Sequence, residues 1–280
     1  MQLYSINAGK FKLDGGAMFG VVPKVIWKKL NPPDENNLCT WAMRCLLIDT
    51  GDRKILIDNG IGGKQDEKFL KNYQPDGPEV LENSLKEQGF RPEDITDNLL
   101  THLHFDHCGG GIKQNEQGKF VPTFPNATYH VSRPQWESAK NPNPREKASL
   151  LKENIFPMEE TGKLNIIEEE GEFLPGIDLK FVYGHTDGMI IPKIQYGNKK
   201  LVYMADLLPS HLHAPLPFVM AYDIRPLNTM QEKENWLKQA LEENWVLFFE
   251  HDPEIECCTL QQGKKYIEAS EKFTLKELEN

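Results

Sequence analysis

Thr101-His102-Leu103-His104-Phe105-Asp106-His107-Cys108-Gly109-Gly110-Gly111 is the stretch on which the reading of this chain turns. Four side chains able to ligate a metal, His102, His104, Asp106 and His107, fall within six residues. On an extended strand end side chains alternate with a period of two, so His102 and His104 point to the same side. A turn into Asp106 and His107 brings two further donors round, and the glycines that follow let the backbone bend sharply and pass close to its neighbours. Imidazole nitrogen with carboxylate oxygen suits Zn first, with Fe, Mn, Co or Ni as alternatives. One histidine alone is more often a core or surface residue, whereas four donors at this spacing point to a metal.

Working outward, residues 98–101 predict a strand feeding this motif. Before it stands a helix over 78–88, with Val80, Leu81 and Leu85 at helical spacing and Gly89 as its stop. Earlier still, the apolar runs 44–49 and 54–58 predict a hairpin. Beyond the motif come a strand at 127–131, helices at 133–140 and 143–154, and strands at 163–167, 177–183, 190–196 and 200–204. Gly197 and Asn198 supply a hairpin turn between the last two. A helix at 229–244 puts Trp236, Leu237, Ala240 and Leu241 on a core-facing stripe, a strand follows at 245–250, and a charged helix is expected at 264–279. Residues 14–20 lack the spacing and context of a nucleotide loop and read as an early hairpin. Alternation of this kind predicts a layered α/β domain with its sheets at the centre. The long irregular stretch 207–228 is of the sort that carries function or moves.

Composition excludes several classes. The 280 residues are 39% hydrophobic and 26% charged, which suits a globular domain rather than a disordered or collagen-like chain. A net charge of -10 argues against a nucleic-acid partner. It tilts the substrate towards neutral or zwitterionic small molecules. Five cysteines without a C-x-x-C pair are not a disulfide framework. No secretory leader or long apolar span shows, so a cytoplasmic protein with no membrane association is expected.

The motif resembles the HxHxDH signature of the metallo-beta-lactamase superfamily, and the likeness continues downstream at Gly184-His185-Thr186-Asp187-Gly188, Tyr203-Met204-Ala205-Asp206 and Phe248-Phe249-Glu250-His251-Asp252. The resemblance implies a four-layer αββα sandwich in which residues 1–280 form a single domain. It implies two divalent metal ions, one held by His102, His104 and His185, the other by Asp106, His107 and His251, with Asp206 bridging. Asp58 matches a position that orients a ligating histidine. Segments 14–24 and 219–223 are similar to YtnP-type quorum-quenching lactonases, a likeness spanning residues 1 to about 258. Two positions depart from that pattern: Met189 stands where relatives often carry a second histidine, and Pro209 where better-studied lactonases carry a tyrosine.

Two ions about 3.5 to 4 Å apart lower the pKa of a shared water and make it a hydroxide nucleophile. The implied reaction is opening of the lactone ring of N-acyl-homoserine lactones, with Asp106 or Asp206 moving the proton. Substrate walls are expected from Met18, Phe19, His211, His213, Phe218, Met220 and Tyr222, although plain packing also accounts for the aromatic and methionine side chains. Cys108 reads as a small buried residue rather than a nucleophile. The alternatives are organophosphate or aryl-ester hydrolysis and a non-catalytic metal-binding protein. A homodimer is a family-level expectation.

Overall fold

Ile55, Leu56 and Ile57 are wholly buried, and the Lys54–Ile57 strand that holds them runs antiparallel to Leu38–Asp49 and parallel to Asp97–Leu99. Uninterrupted apolar runs are what strands covered on both faces need. Thr128–Ser132 and Leu164–Ile167 continue the parallel set, and Gln2–Asp14 lies outside Leu38–Asp49 to complete six strands. This sheet is built mainly from the first of two compact units, Met1–Phe11 with Met43–Glu169; the second takes residues 12–42 and those from 170 onward. The computed structural model describes residues 1–279.

A polar chain centred on the buried Asp97 and His130, with Arg53 and Asn165 reaching it from the surface, ties four neighbouring strands of the first unit together. The Asp97 carboxylate accepts from His130 Nε2 at 2.7 Å, Arg53 Nε at 2.7 Å and Thr96 Oγ1 at 2.6 Å. Asn165 in turn donates to His130 Nδ1 at 3.0 Å. Burial works to raise the Asp97 pKa, but the bonds from His130, Arg53 and Thr96 outweigh it and hold the carboxyl well below the usual range. The network sits at the start of Asp97–Leu99, and the chain leaves the other end of that strand to enter the ligand motif.

In the second unit seven strands pair in the order Ile267–Phe273, Cys257–Gln262, Val246–Phe248, Lys199–Tyr203, Met189–Tyr196, Ile177–Val182 and Gly171–Leu174. All neighbours are antiparallel except Lys199–Tyr203 and Val246–Phe248, which are parallel. A parallel pair needs a crossover, and the Pro226–Glu242 helix supplies it. Proline opens this helix, where its missing N–H costs nothing. Its buried face is Thr229, Lys233, Leu237 and Ala240, whereas Trp236 and Leu241 are only half-buried. The expected stripe therefore holds at Leu237 and Ala240, but the face is rotated to include a lysine.

Three expected elements differ. Residues 14–20 are not a hairpin: Asp14 accepts from the Ala17 N–H and caps a short Gly15–Phe19 helix. The 143–154 helix is displaced to Lys152–Glu160, with Pro157 inside it. Asn143 Oδ1 takes the N–H groups of Arg145 and Glu146, a local bond that competes with helix, while burial of Ile155, Pro157 and Met158 holds the later segment despite its proline. The charged 264–279 helix is instead the Ile267–Phe273 strand followed by a 3-10 turn, because pairing along Cys257–Gln262 overrides helix propensity. Glu268, Glu271 and Lys272 are exposed along this edge strand, where charge discourages pairing with another chain.

Removing one partner of the Asp97 network leaves buried polar groups uncompensated. Asp97→Asn is expected to lower stability at pH 7 by about 2–4 kcal/mol, read from chemical denaturation. Because the folded-state pKa is depressed, the carboxylate contributes stability above the unfolded value of about 4 and loses it as the pH falls further. The gap between the two proteins should therefore narrow in acid; a gap that widened would contradict the role given to Asp97.

Candidate metal centre

Asp58 ends the Lys54–Ile57 strand with φ +57°, a left-handed conformation that aspartate adopts more readily than most residues. This turn aims its buried carboxylate at the motif. Oδ1 accepts from the Thr101 N–H at 2.7 Å, while Oδ2 accepts from Thr101 Oγ1 at 2.7 Å and lies 3.1 Å from His107 Nδ1. Thr101 Oγ1 is 3.1 Å from His102 Nδ1 and, having given its proton to Asp58, acts there as the acceptor. The close packing of the motif on the 59–61 turn needs glycine, since a Cβ on Gly110 would stand 2.1 Å from the Asn59 carbonyl oxygen.

His104 is held from elsewhere in the same unit. Its Nε2 lies 3.1 Å from Glu146 Oε1, and Asn143 Nδ2 donates to the other oxygen of that carboxylate at 3.0 Å. The hydrogen-bond network thus assigns the proton to Nδ1 of His102 and His107 and to Nε2 of His104. The remaining nitrogens, His102 Nε2 and His104 Nδ1, face each other at 3.0 Å. His107 Nε2 lies 3.9 Å from Asp106 Oδ2.

The second unit repeats this logic around one carboxylate. Asp206 Oδ2 is 3.1 Å from His185 Nε2, and Asp206 Oδ1 is 3.1 Å from His251 Nε2. His185 Nδ1 is committed to Asp223 at 2.7 Å, and His251 Nδ1 to the Ala42 carbonyl at 2.7 Å. Burial resists protonation of His185, yet Asp206 and Asp223 outweigh it and lift its pKa well above the ordinary histidine range. Ala205, immediately before Asp206, has φ +42°, a strained position for a residue with a Cβ.

These contacts test whether the residues fit a metal ion. Two nitrogen lone pairs at 3.0 Å repel unless a cation lies between them, and the imidazole–carboxylate pairs at 3.1 Å need positive charge there, supplied by a proton or by a metal ion. All seven donors are buried or nearly so, and charge in such surroundings must be paired. The five histidines each give one ring nitrogen to a protein acceptor and turn the other towards a further donor, the arrangement that metal-ligating histidines use. The donor set fits divalent metal.

The residues expected to line a pocket are placed as follows. Met18 and Phe19 are buried, with Phe19 stacked between Trp27 and His213 at ring separations of 5.4 and 5.0 Å. His213 donates through Nε2 to the Met18 carbonyl and accepts from Ser210 at Nδ1, and burial lowers its pKa to about 3, so the ring is neutral. His211 Nδ1 contacts Asp252 and is partly exposed. Met220 is buried, Phe218 half-buried and Tyr222 37% exposed. Glu146 and Asp223 hold His104 and His185, a role that the sequence does not announce even though Asp223 ends the 219–223 segment. No motif spacing marks them, because they stand 42 and 38 positions from the rings they contact.

Comparison with known proteins bears on the whole chain. Residues 44–251 match the metallo-beta-lactamase superfamily. An N-acyl homoserine lactonase of Bacillus thuringiensis is 28% identical over 270 residues, covering 91% of this chain and 94% of that protein. A crystal structure described as a probable metal-dependent hydrolase from Staphylococcus aureus superposes with a TM-score of 0.88 at 32% identity, covering 98% of each chain. AidC, a dizinc quorum-quenching lactonase solved with a product, gives a TM-score of 0.80 at 24% identity, covering 97% and 95%. On this match and on its buried histidine and aspartate clusters, the chain belongs to the metallo-beta-lactamase superfamily and has the mixed α/β hydrolase fold of that family.

Proposed function

We propose that this chain is a dinuclear metal-dependent hydrolase that opens the lactone ring of N-acyl-homoserine lactones. The observation that carries the proposal is the carboxylate of Asp206 set between two imidazoles, 3.1 Å from each, which supports its reading as a ligand shared by two ions. In this reading one ion takes His102, His104 and His185, the other Asp106, His107 and His251, with Asp206 common to both. All seven fall inside the region matched by the family, and the Bacillus lactonase supports the substrate class. Nitrogen and carboxylate donors without thiolate favour zinc.

Bound there, two divalent ions supply Lewis acidity for the ester carbonyl and lower the pKa of water between them. The chain does the rest. Asp58, Glu146 and Asp223 fix the ring orientations before substrate arrives. In this reading Asp106 or Asp206 passes a proton to the departing ring oxygen. Phe218, Met220 and Tyr222 are proposed walls for the acyl chain, with Met18, Phe19, His211 and His213 supporting the loop that carries them. Cys108 takes no part: it is buried, its thiol donates to the Leu103 carbonyl at 3.3 Å, and burial pushes its pKa up to about 12.

All five cysteines are buried and none forms a disulfide, which supports a reducing, cytoplasmic setting. Among the described residues no helix is long and apolar enough to cross a membrane.

Metal-loaded protein should release acid from a medium-chain N-acyl-homoserine lactone, and a chelator or His251→Ala should abolish that release. Acid from phosphotriesters or aryl esters but not from lactones would overturn the substrate and keep the hydrolase. Cys108→Ser should retain most activity; loss of turnover with metal still bound would contradict metal-based chemistry. Glu146→Ala should weaken metal binding by roughly 10–100-fold, read in a chelator competition, because the ring of His104 loses its anchor. Unchanged affinity would remove that role from Glu146.

A further inference from the structure

The Pro226–Glu242 helix buries a lysine where its stripe calls for an apolar residue. Lys233 is 1% exposed, and Nζ donates to the carbonyl oxygens of His213 at 3.0 Å, Pro215 at 3.0 Å and Phe218 at 2.8 Å. An ammonium has three N–H groups, and all three are used. The loop has a particular need of such a donor. Pro215 and Pro217 carry no N–H, and although the Pro215 carbonyl also accepts the Phe218 N–H at 2.9 Å, the buried lysine is the donor that draws the His213, Pro215 and Phe218 carbonyls together.

The neighbouring residue does the converse. Glu232 accepts the N–H groups of Tyr183 at 2.7 Å and Gly184 at 3.0 Å, directly before the ligand His185. Thr229, one turn earlier, lies so close that a Cβ on Gly184 would meet its backbone nitrogen at 2.3 Å. Consecutive side chains of one helix therefore hold the turn that presents His185 and the loop that leads to Met220 and Tyr222.

We propose that Lys233 is a positioning residue for substrate selection, fixing the 213–218 loop in the shape that receives the acyl chain. This rests on the lactonase reading above. Packing alone does not account for it, since leucine or methionine would fill the position without the cost of burying charge. That cost is visible in the lysine itself, whose pKa burial lowers against the pull of Asp223, while the three carbonyl oxygens favour the charged form.

The test uses full-length, metal-loaded protein carrying Lys233→Met or Lys233→Gln. Steady-state kinetics on homoserine lactones of short and long acyl chain would be paired with hydrogen exchange at backbone amides 213–222. For Lys233→Met the KM for long chains should rise roughly tenfold while kcat stays within about twofold, a loss of ground-state binding. Amides in 213–222 should exchange faster and metal content should not change. Lys233→Gln keeps two N–H donors and should fall between, and it carries the test if the methionine variant does not fold. Exchange and chain-length preference both unchanged in a folded variant would overturn the proposal. Wild-type protein that opens no lactone would remove the substrate role, and hydrogen exchange would still decide whether Lys233 holds the loop.

Discussion

Each imidazole of the candidate centre gives one ring nitrogen to a fixed acceptor of the protein, and this constraint determines what the other nitrogen can do. Thr101 takes His102, Glu146 takes His104, Asp58 takes His107, Asp223 takes His185 and the Ala42 carbonyl takes His251. With its tautomer fixed, a histidine cannot relieve a crowded contact by moving its proton. The donors then stand 3.0 to 3.1 Å apart with their lone pairs turned inward, and positive charge is what makes that arrangement stable.

Holding the donors this way costs conformational energy, and the cost falls beside the ligands. Asp58 and Ala205 both have positive φ without being glycine, at an estimated 1–3 kcal/mol each for such backbone. Rigid sheet and buried networks offset it. In the first unit the Asp97 chain locks the strand starts, and the motif leaves the opposite end of Asp97–Leu99. In the second, Ala205-Asp206 follows closely on Lys199–Tyr203 and His251 on Val246–Phe248, the parallel pair bridged by the Pro226–Glu242 helix. Donors at strand ends inherit the stiffness of the sheet, which is why short irregular segments can present them.

Much of this is legible in the sequence. The hairpin at 44–58, the helix at 133–140 and the strands at 163–167, 177–183, 190–196 and 200–204 follow from apolar period and turn residues, and the ligand motif follows from donor spacing; the short strand Gly171–Leu174 between them does not. What escaped has a common physical origin. Glu146 and Asp223 are partners only because the fold carries distant segments to the rings; Glu146 has no local signature, and Asp223, although it ends the lactonase-like segment 219–223, has none that shows this contact. The C-terminal strand looks like a helix in sequence because charged residues with good helix propensity cannot reveal that a sheet edge is waiting for them. Lys233 is hidden for the same reason, since a lysine on an apolar face looks like a misplaced surface residue until the fold sets the carbonyls of a proline-containing loop around it.

The account depends on Asp206 being a ligand shared by two ions, and metal stoichiometry addresses that most directly. Wild-type protein and Asp206→Ala would be loaded with zinc, dialysed against metal-free buffer and assayed for bound metal per chain. About two ions are expected in the wild type, as for other two-metal sites, and fewer than about one in the variant. Two ions retained after loss of Asp206, or none in the wild type, would contradict the shared-ligand centre.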